Sequence, residues 1–546
     1  MSNKFTRTLG LLTLAAGLTA LSSACTKDLD QTPDYSYNTD TIYSSPTLTY
    51  QALARLYATF AISGQAGPAG APDIAGIDEG FSNYLRQYWQ MEEITTDEAV
   101  LGWPDAGLPT LNTNQWDANN EFVRATYDRL YFAIALCNDF IRQTSDANLA
   151  LRGLGGNDAN NIKQYREEAR VLRALSYWHV VDFFGNGPFV TDADAVGVPP
   201  RYGTRAELFS YVESELKSVE TNNLLLDPHT AAGYGRADKA VLWTILAKLY
   251  LNSQVYNGSD HMADVITYSS KVLDPNLTNP YSLNTTAVGN YNAYQMLFLA
   301  DNSSSDAKKE IIFPITFDGQ RTQGYGGMTY LLHAPIGRAA PPVESGINGG
   351  WAGLRTKPQL YNLFPGGYTS SGDSRQASFF SKGQNPNVDT VSVFSSGIIV
   401  RKYRNVTSAG VVGSDATGNF ADTDFPMFRL ADVKLMYAEA ALRSPGTALT
   451  RGTALQQVNE VRSRSNAPAL ASVTLNDILA ERGRELYWEG HRRTDLIRFG
   501  KYTSGYNWAF KGGAAAGKDL EATRALFPIP NTDLVVNPNL KQNPGY

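Results

Sequence analysis

The chain has 546 residues, 43% hydrophobic and 18% charged, with 30 Tyr, 23 Phe and 8 Trp against 5 His and 2 Cys. That composition belongs to a large folded protein, and a chain this long can bury ~75% of its unfolded surface. Lys plus Arg total 47 and Asp plus Glu 53, a net charge of −6; without a basic excess to neutralise a phosphate backbone, no nucleic acid is expected as a partner.

The chain opens with a secretory pattern. Lys4 and Arg7 precede an uncharged run from Leu9 to Ala20, then small residues from Leu21 to Ala24, then Cys25. A run of about a dozen residues is short of the ~20 a spanning helix requires. The setting of Cys25 resembles the lipobox of bacterial lipoproteins, although Ser22 stands where Leu is usual and Leu21 lies one place earlier. The resemblance implies a signal peptide over 1–24, lipidation at Cys25 and a stable anchor from several acyl chains. Residues 25–48, rich in Thr, Asp, Ser, Tyr and Pro, read as an extended lipidated tether. With Cys25 acylated, Cys137 has no partner for a disulfide.

Beyond the tether helical periods dominate. A stripe at Tyr165, Ala169, Leu172, Leu175, Trp178 and Val181 predicts a helix over 164–184, stopped by Gly185-Asn186-Gly187-Pro188. Thr204 and Glu207 predict a capping box, and 237–252 alternates small and large apolar residues at helical spacing. From about 276 to 425 the chain turns rich in Gly, Ser, Asn and Pro, with short β-like runs at 311–313 and 397–403; long loops of this kind usually carry function. Helical periods return at 428–442, 453–464 and 475–499. The expected fold is mainly α, a tetratricopeptide-like scaffold with a loop-rich, partly β insert. We divide it as 49–275, an N-terminal helical region, and 276–546, a C-terminal region with the insert and closing helices.

Several segments resemble the SusD/RagB family of outer-membrane nutrient-binding lipoproteins. They are Glu168 to Tyr177 with Phe184 to Pro188, Gly235-Arg236-Ala237, Arg429 to Ala440, Glu481-Arg482 through Glu489-Gly490-His491-Arg492-Arg493-Thr494-Asp495-Leu496, Leu526 to Pro530, and Asn537 to Tyr546. The resemblance implies a non-enzymatic lid on a SusC-like TonB-dependent transporter barrel, capturing oligosaccharide or another nutrient at the cell surface, with no cofactor. It also makes Asp28 and Asp30 similar to a surface-sorting signal. A surface glycoside hydrolase and a structural tetratricopeptide adaptor are the alternatives.

The chemical motifs favour structure over catalysis. Glu485 and Glu489 lie four apart on what reads as one helix face, whereas glycosidic cleavage needs carboxylates flanking the bond from opposite sides. An ion-pair network with neighbouring arginines is the expected role of the charged 481–495 segment. Gly512 to Lys518 mimics a phosphate loop, but Asp519 stands where Ser or Thr should hold magnesium. His179, His229, His261, His333 and His491 never fall at i,i+4, so no metal site is expected, and His179 reads as a buried structural side chain. Sugar recognition needs flat aromatic faces with charged and amide groups for hydroxyls. The loops at 97–117 and 319–351 have that composition. If they form one platform, Trp103, Trp116, Tyr325 and Trp351 are the stacking candidates, with Asp97, Asp105 and Arg321 for hydroxyls.

Overall fold

The computed structural model describes residues 38–546 apart from 69, 71, 338, 339, 370 and 371. The expected signal peptide, Cys25 and the expected tether up to 37 lie outside the described residues. The remainder of the expected tether is helical. Asn38 Oδ1 accepts from Thr41 N at 2.8 Å to start Thr39–Ser44, and Ser45 with Pro46 at the first position starts Pro46–Ala61. Capping residues outweigh the polar composition there.

The expected mainly α, tetratricopeptide-like architecture is what forms. Helix Glu121–Gln143 packs on Gly156–Phe183, which packs on Arg205–Asn222. Lys239–Leu251 packs on Met262–Val272, and Met262–Val272 on Leu430–Arg443. Leu430–Arg443 then receives Ala454–Arg464 and Leu475–Leu486. The helical array therefore crosses residue 275, and one hydrophobic cluster runs from Tyr43 to Leu540. Thr204 and Glu207 form the expected reciprocal cap, as do Thr453 and Gln456. No helix among the described residues is long and apolar enough to cross a membrane.

In the middle region strand Ile311–Ile315 pairs antiparallel with Phe425–Arg429. That second strand takes the residues expected to begin a helix at 428, and the helix starts at Leu430. The other strand pairs are two or three residues long, and of the run at 397–403 only Ile399–Val400 is a strand.

The charged terminal segment departs from a single helix over 475–499. Leu475–Leu486 ends, Trp488 adopts φ 63° and Gly490 φ 78°, and Arg492–Arg498 begins a second helix. Tertiary anchors enforce the break: Trp488 N donates to Glu98 Oε2 at 2.9 Å, its indole donates to Glu98 O at 3.1 Å, and Trp89 Nε1 donates to Trp488 O at 2.9 Å. A Cβ on Gly490 would strike the Tyr88 ring, so only glycine permits this approach. Glu489 has left the helix carrying Glu485, yet both meet at Arg429, whose Nη1 lies 2.6 Å from Glu485 and Nε 2.6 Å from Glu489. Arg375 and Arg464 also hold Glu485, and Lys402 holds Glu489 at 2.6 Å. These groups are fully buried. Burial alone would raise the Glu485 pKa, but Arg464, Arg429 and Arg375 outweigh it and hold the carboxyl down at about 2.

Candidate ligand site

Strand register places the site. Val100–Leu101 pairs antiparallel with Leu354–Arg355, so two residues beyond Leu101 the chain meets the segment before Leu354. Gly102 N donates to Gly353 O at 3.1 Å, and Trp103 Nε1 donates to Trp351 O at 3.2 Å. The two indoles stand 6.2 Å apart, inclined by 50°. Any Cβ on Gly353 would collide with the Trp103 indole. His333 stacks on Trp351 at 4.9 Å and backs that ring. Its ring nitrogens face the carbonyls of Gly349 at 2.7 Å and Asn419 at 2.9 Å, and burial lowers its pKa.

Trp103, Trp351 and Tyr325 line one open cavity of about 640 Å³ together with Ile77, Asp78, Glu79, Gly80 and Arg86. Arg86 comes from helix Tyr84–Trp89, which the Trp488–Gly490 turn clamps from below. Its guanidinium lies 4.6 Å from the Tyr330 centroid and 5.8 Å from that of Trp103. Arg86 is only 7% exposed, yet its Nε has no hydrogen-bond partner among the described residues. Burial lowers its pKa, partly opposed by Tyr330, Asp105, Asp78 and Glu79. A buried donor left without an acceptor is costly. On the same wall Glu79 accepts from Tyr325 N at 3.3 Å, and its pKa is raised chiefly by burial. The arrangement offers two indole faces, a 38% exposed Tyr325, a buried cationic donor and two carboxylates. It is chemically suited to a ring with an apolar C–H face and a rim of hydroxyls.

Not every expected contact residue joins it. Trp116 is 1% exposed, packs on Phe527 with centroids 4.7 Å apart, and donates from Nε1 to Tyr546 at 2.8 Å; it is a core residue tying the terminus down. Asp97 is buried too, gripped by Arg492 through two 2.8 Å bonds and by Tyr506 at 2.7 Å. Burial would raise its pKa, but the Arg492 charge and hydrogen bonds bring it below the usual value. Arg321 is exposed and pairs with Asp318 at 3.3 Å outside the cavity lining. Asp105 is exposed near the rim, close enough to influence Arg86 electrostatically without lining the cavity. Arg86, Asp78 and Glu79 have no sequence signal that marks them; Arg86 sits in a short helix whose residues are all buried. His179 is structural as expected, buried beside Tyr84 Oη at 2.9 Å, with its pKa lowered by burial to about 3. Gly512 to Lys518 is a folded turn, with Lys518 N donating to Lys511 O at 3.1 Å.

The SusD family profile matches residues 374–546. Over its full length the chain is 33% identical to the starch-binding protein SusD of Bacteroides thetaiotaomicron, covering 100% of both. A SusD-like protein of Bacteroides ovatus is 24% identical over 97% of each chain. Among solved structures, surface glycan-binding protein A of Bacteroides thetaiotaomicron in complex with laminarihexaose superposes with a TM-score of 0.64 at 18% identity, covering 91% of this chain and 98% of that one. A laminarin-binding SusD-like protein gives 0.66 at 20% identity over 92% and 99%. The chain belongs to the SusD family.

Proposed function

We propose that this protein is a surface-exposed glycan-binding lipoprotein that captures an oligosaccharide in the Trp103–Trp351 cavity and delivers it to a partner TonB-dependent outer-membrane transporter. The observation that carries the reading is the open cavity lined by two indoles, an exposed tyrosine and a largely buried guanidinium. The full-length relative named for starch binding makes a linear α-glucan the first ligand class to test. Anchoring through Cys25 in the outer membrane, facing outward, is supported by the signal pattern and by family membership, as is docking on a transporter barrel.

The reading is binding without turnover. The two cavity carboxylates, Asp78 and Glu79, are successive residues of one loop, whereas glycosidic cleavage uses carboxyls on opposite sides of the bond, about 5–9.5 Å apart. Calorimetric titration of the purified protein with maltodextrin, alongside a reducing-end assay, tests both statements. Binding is expected with no new reducing ends. Trp103→Ala and Trp351→Ala should each weaken it severalfold to about tenfold, since a stacked ring contributes ~0.5–1.5 kcal/mol beyond its buried area. Full affinity in both variants would remove this cavity from the site, release of sugars would restore the hydrolase alternative, and binding to a barrel but to no glycan would favour the adaptor.

A further inference from the structure

We propose that a long glycan held in the first cavity continues into a second carbohydrate subsite, the groove along the exposed side of helix Pro46–Ala61. The inference rests on the glycan-binding reading above. The groove encloses about 250 Å³ and is lined on one side by Tyr50, Ala54, Ala58 and Ala61, a single helix face, and on the other by Arg236 and Thr322. From Tyr50 to Ala61 it runs ~16 Å at 1.5 Å per residue.

One stretch of chain and one hydrogen bond place it beside the first cavity. Thr322 walls the groove and Tyr325, three residues on, lines the cavity, which limits their separation to about 10 Å. At the other wall Ala61 O accepts from Asn83 Nδ2 at 2.8 Å, holding the groove's end against the segment whose Gly80 lines the cavity.

The bed has sugar-binding chemistry. Tyr50 is 45% exposed, and its ring lies 5.3 Å from that of Tyr165 at 46°. The Arg236 guanidinium sits 5.7 Å from the first centroid and 5.5 Å from the second. Glu168 fixes Arg236 through Nε and Nη2, so the guanidinium is preorganised, and Nη1 has no acceptor among the described residues. The alanines keep the floor shallow. An exposed tyrosine and a fixed guanidinium beside small side chains suit a pyranose chain; an amphipathic partner helix would instead need deep apolar pockets for its anchor residues.

The test compares maltotriose with a long linear maltodextrin, titrated into wild type, Tyr50→Ala and Ala54→Glu. Ala54 is exposed, so the second substitution fills the groove without touching the core. Wild type should bind the long chain more tightly than the trisaccharide. Both variants should weaken long-chain binding about threefold to tenfold and leave maltotriose unchanged. Unchanged long-chain affinity in both variants, or an equal loss for both ligands, would overturn the second subsite while leaving the first cavity standing. Failure of wild type to bind either glucan would overturn the α-glucan reading and the subsite with it.

Discussion

Replacing Glu485 by Gln probes whether the charged terminal segment is the fastening of the scaffold. Its carboxylate is fully buried and accepts from Arg429 at 2.6 Å, from Arg375 at 3.0 Å and from Arg464. Removing one partner of a buried pair costs ~3–5 kcal/mol because the other charge is left uncompensated. Here each arginine keeps a second carboxylate: Arg375 keeps Glu481 at 2.7 Å, Arg429 keeps Glu489 at 2.6 Å, and Arg464 keeps Glu310 at 2.8 Å. The lower end, ~3 kcal/mol, is therefore expected. At ~2.1 cal/mol/K per residue the unfolding entropy of a 546-residue chain is ~1 kcal/mol/K, so Tm should fall by about 3 °C in scanning calorimetry. The pH dependence gives a second reading of the same pair. A carboxyl held at about 2 in the fold against an ordinary 4.5 contributes stability that is complete above 4.5 and lost as pH falls toward 2. The gap between wild type and variant should therefore narrow over that interval. An unchanged Tm at neutral pH together with lost glycan affinity would refute the structural assignment and place Glu485 in ligand recognition.

Arg86→Met should lower glycan affinity about tenfold or more, as expected for hydrogen bonds to a charged donor, without lowering Tm, because the guanidinium is buried without a carboxylate partner; a fall in Tm with intact binding would make Arg86 structural. Gly353→Ala should abolish binding by displacing the Trp103 indole, read as loss of the calorimetric signal with helical circular dichroism retained. On the alkaline side, burial with Asp182 nearby raises Glu92 to about 8, and burial raises Glu98 to about 7 against the pull of Arg492. Stability from such raised groups is present below the ordinary carboxyl value and lost as pH climbs through the folded one, so Tm should decline from about pH 5 to 9, and Glu92→Gln should flatten that decline. Metabolic palmitate labelling should mark the wild type and not Cys25→Ala; equal labelling of both would refute the anchor.

The sequence conveyed what short-range physics controls. The capping box at Thr204 and the apolar stripe over 164–184 survive in the structure because local hydrogen bonding and periodicity decide them. Helices Pro46–Ala61, Glu121–Gln143 and Met262–Val272 went unread beside stronger patterns, although each has an apolar face. The break at Trp488 was illegible for a different reason: periodicity favours helix through 499, and only contacts with Glu98 and Trp89, some 390 residues away in sequence, pull the chain out of it. The site divides the same way. Trp103 and Trp351 were legible as aromatic loop residues, but so was Trp116, and nothing local separates a ring facing a cavity from one packed under Phe527. Arg86 was invisible because its place in the cavity wall is a property of three-dimensional surroundings.

On the proposed glycan-binding reading, that division gives the buried charges a part in ligand recognition. Loops that recognise a ligand gain affinity when their geometry is fixed before binding, since ordering them afterwards subtracts from the interaction. The cavity draws its side chains from distant segments: Arg86 from a helix, Trp103 from the loop after a two-residue strand, Tyr325 and Trp351 from the middle region. Strands of two residues hold little by themselves. Rigidity has to come from behind, and it does: Arg492 on Asp97, Trp488 on Glu98 and Gly490 on Glu93 clamp the chain from helix Tyr84–Trp89 to the strand at Val100. Asp97, expected from its loop to touch ligand, instead fixes the chain from which Trp103 projects.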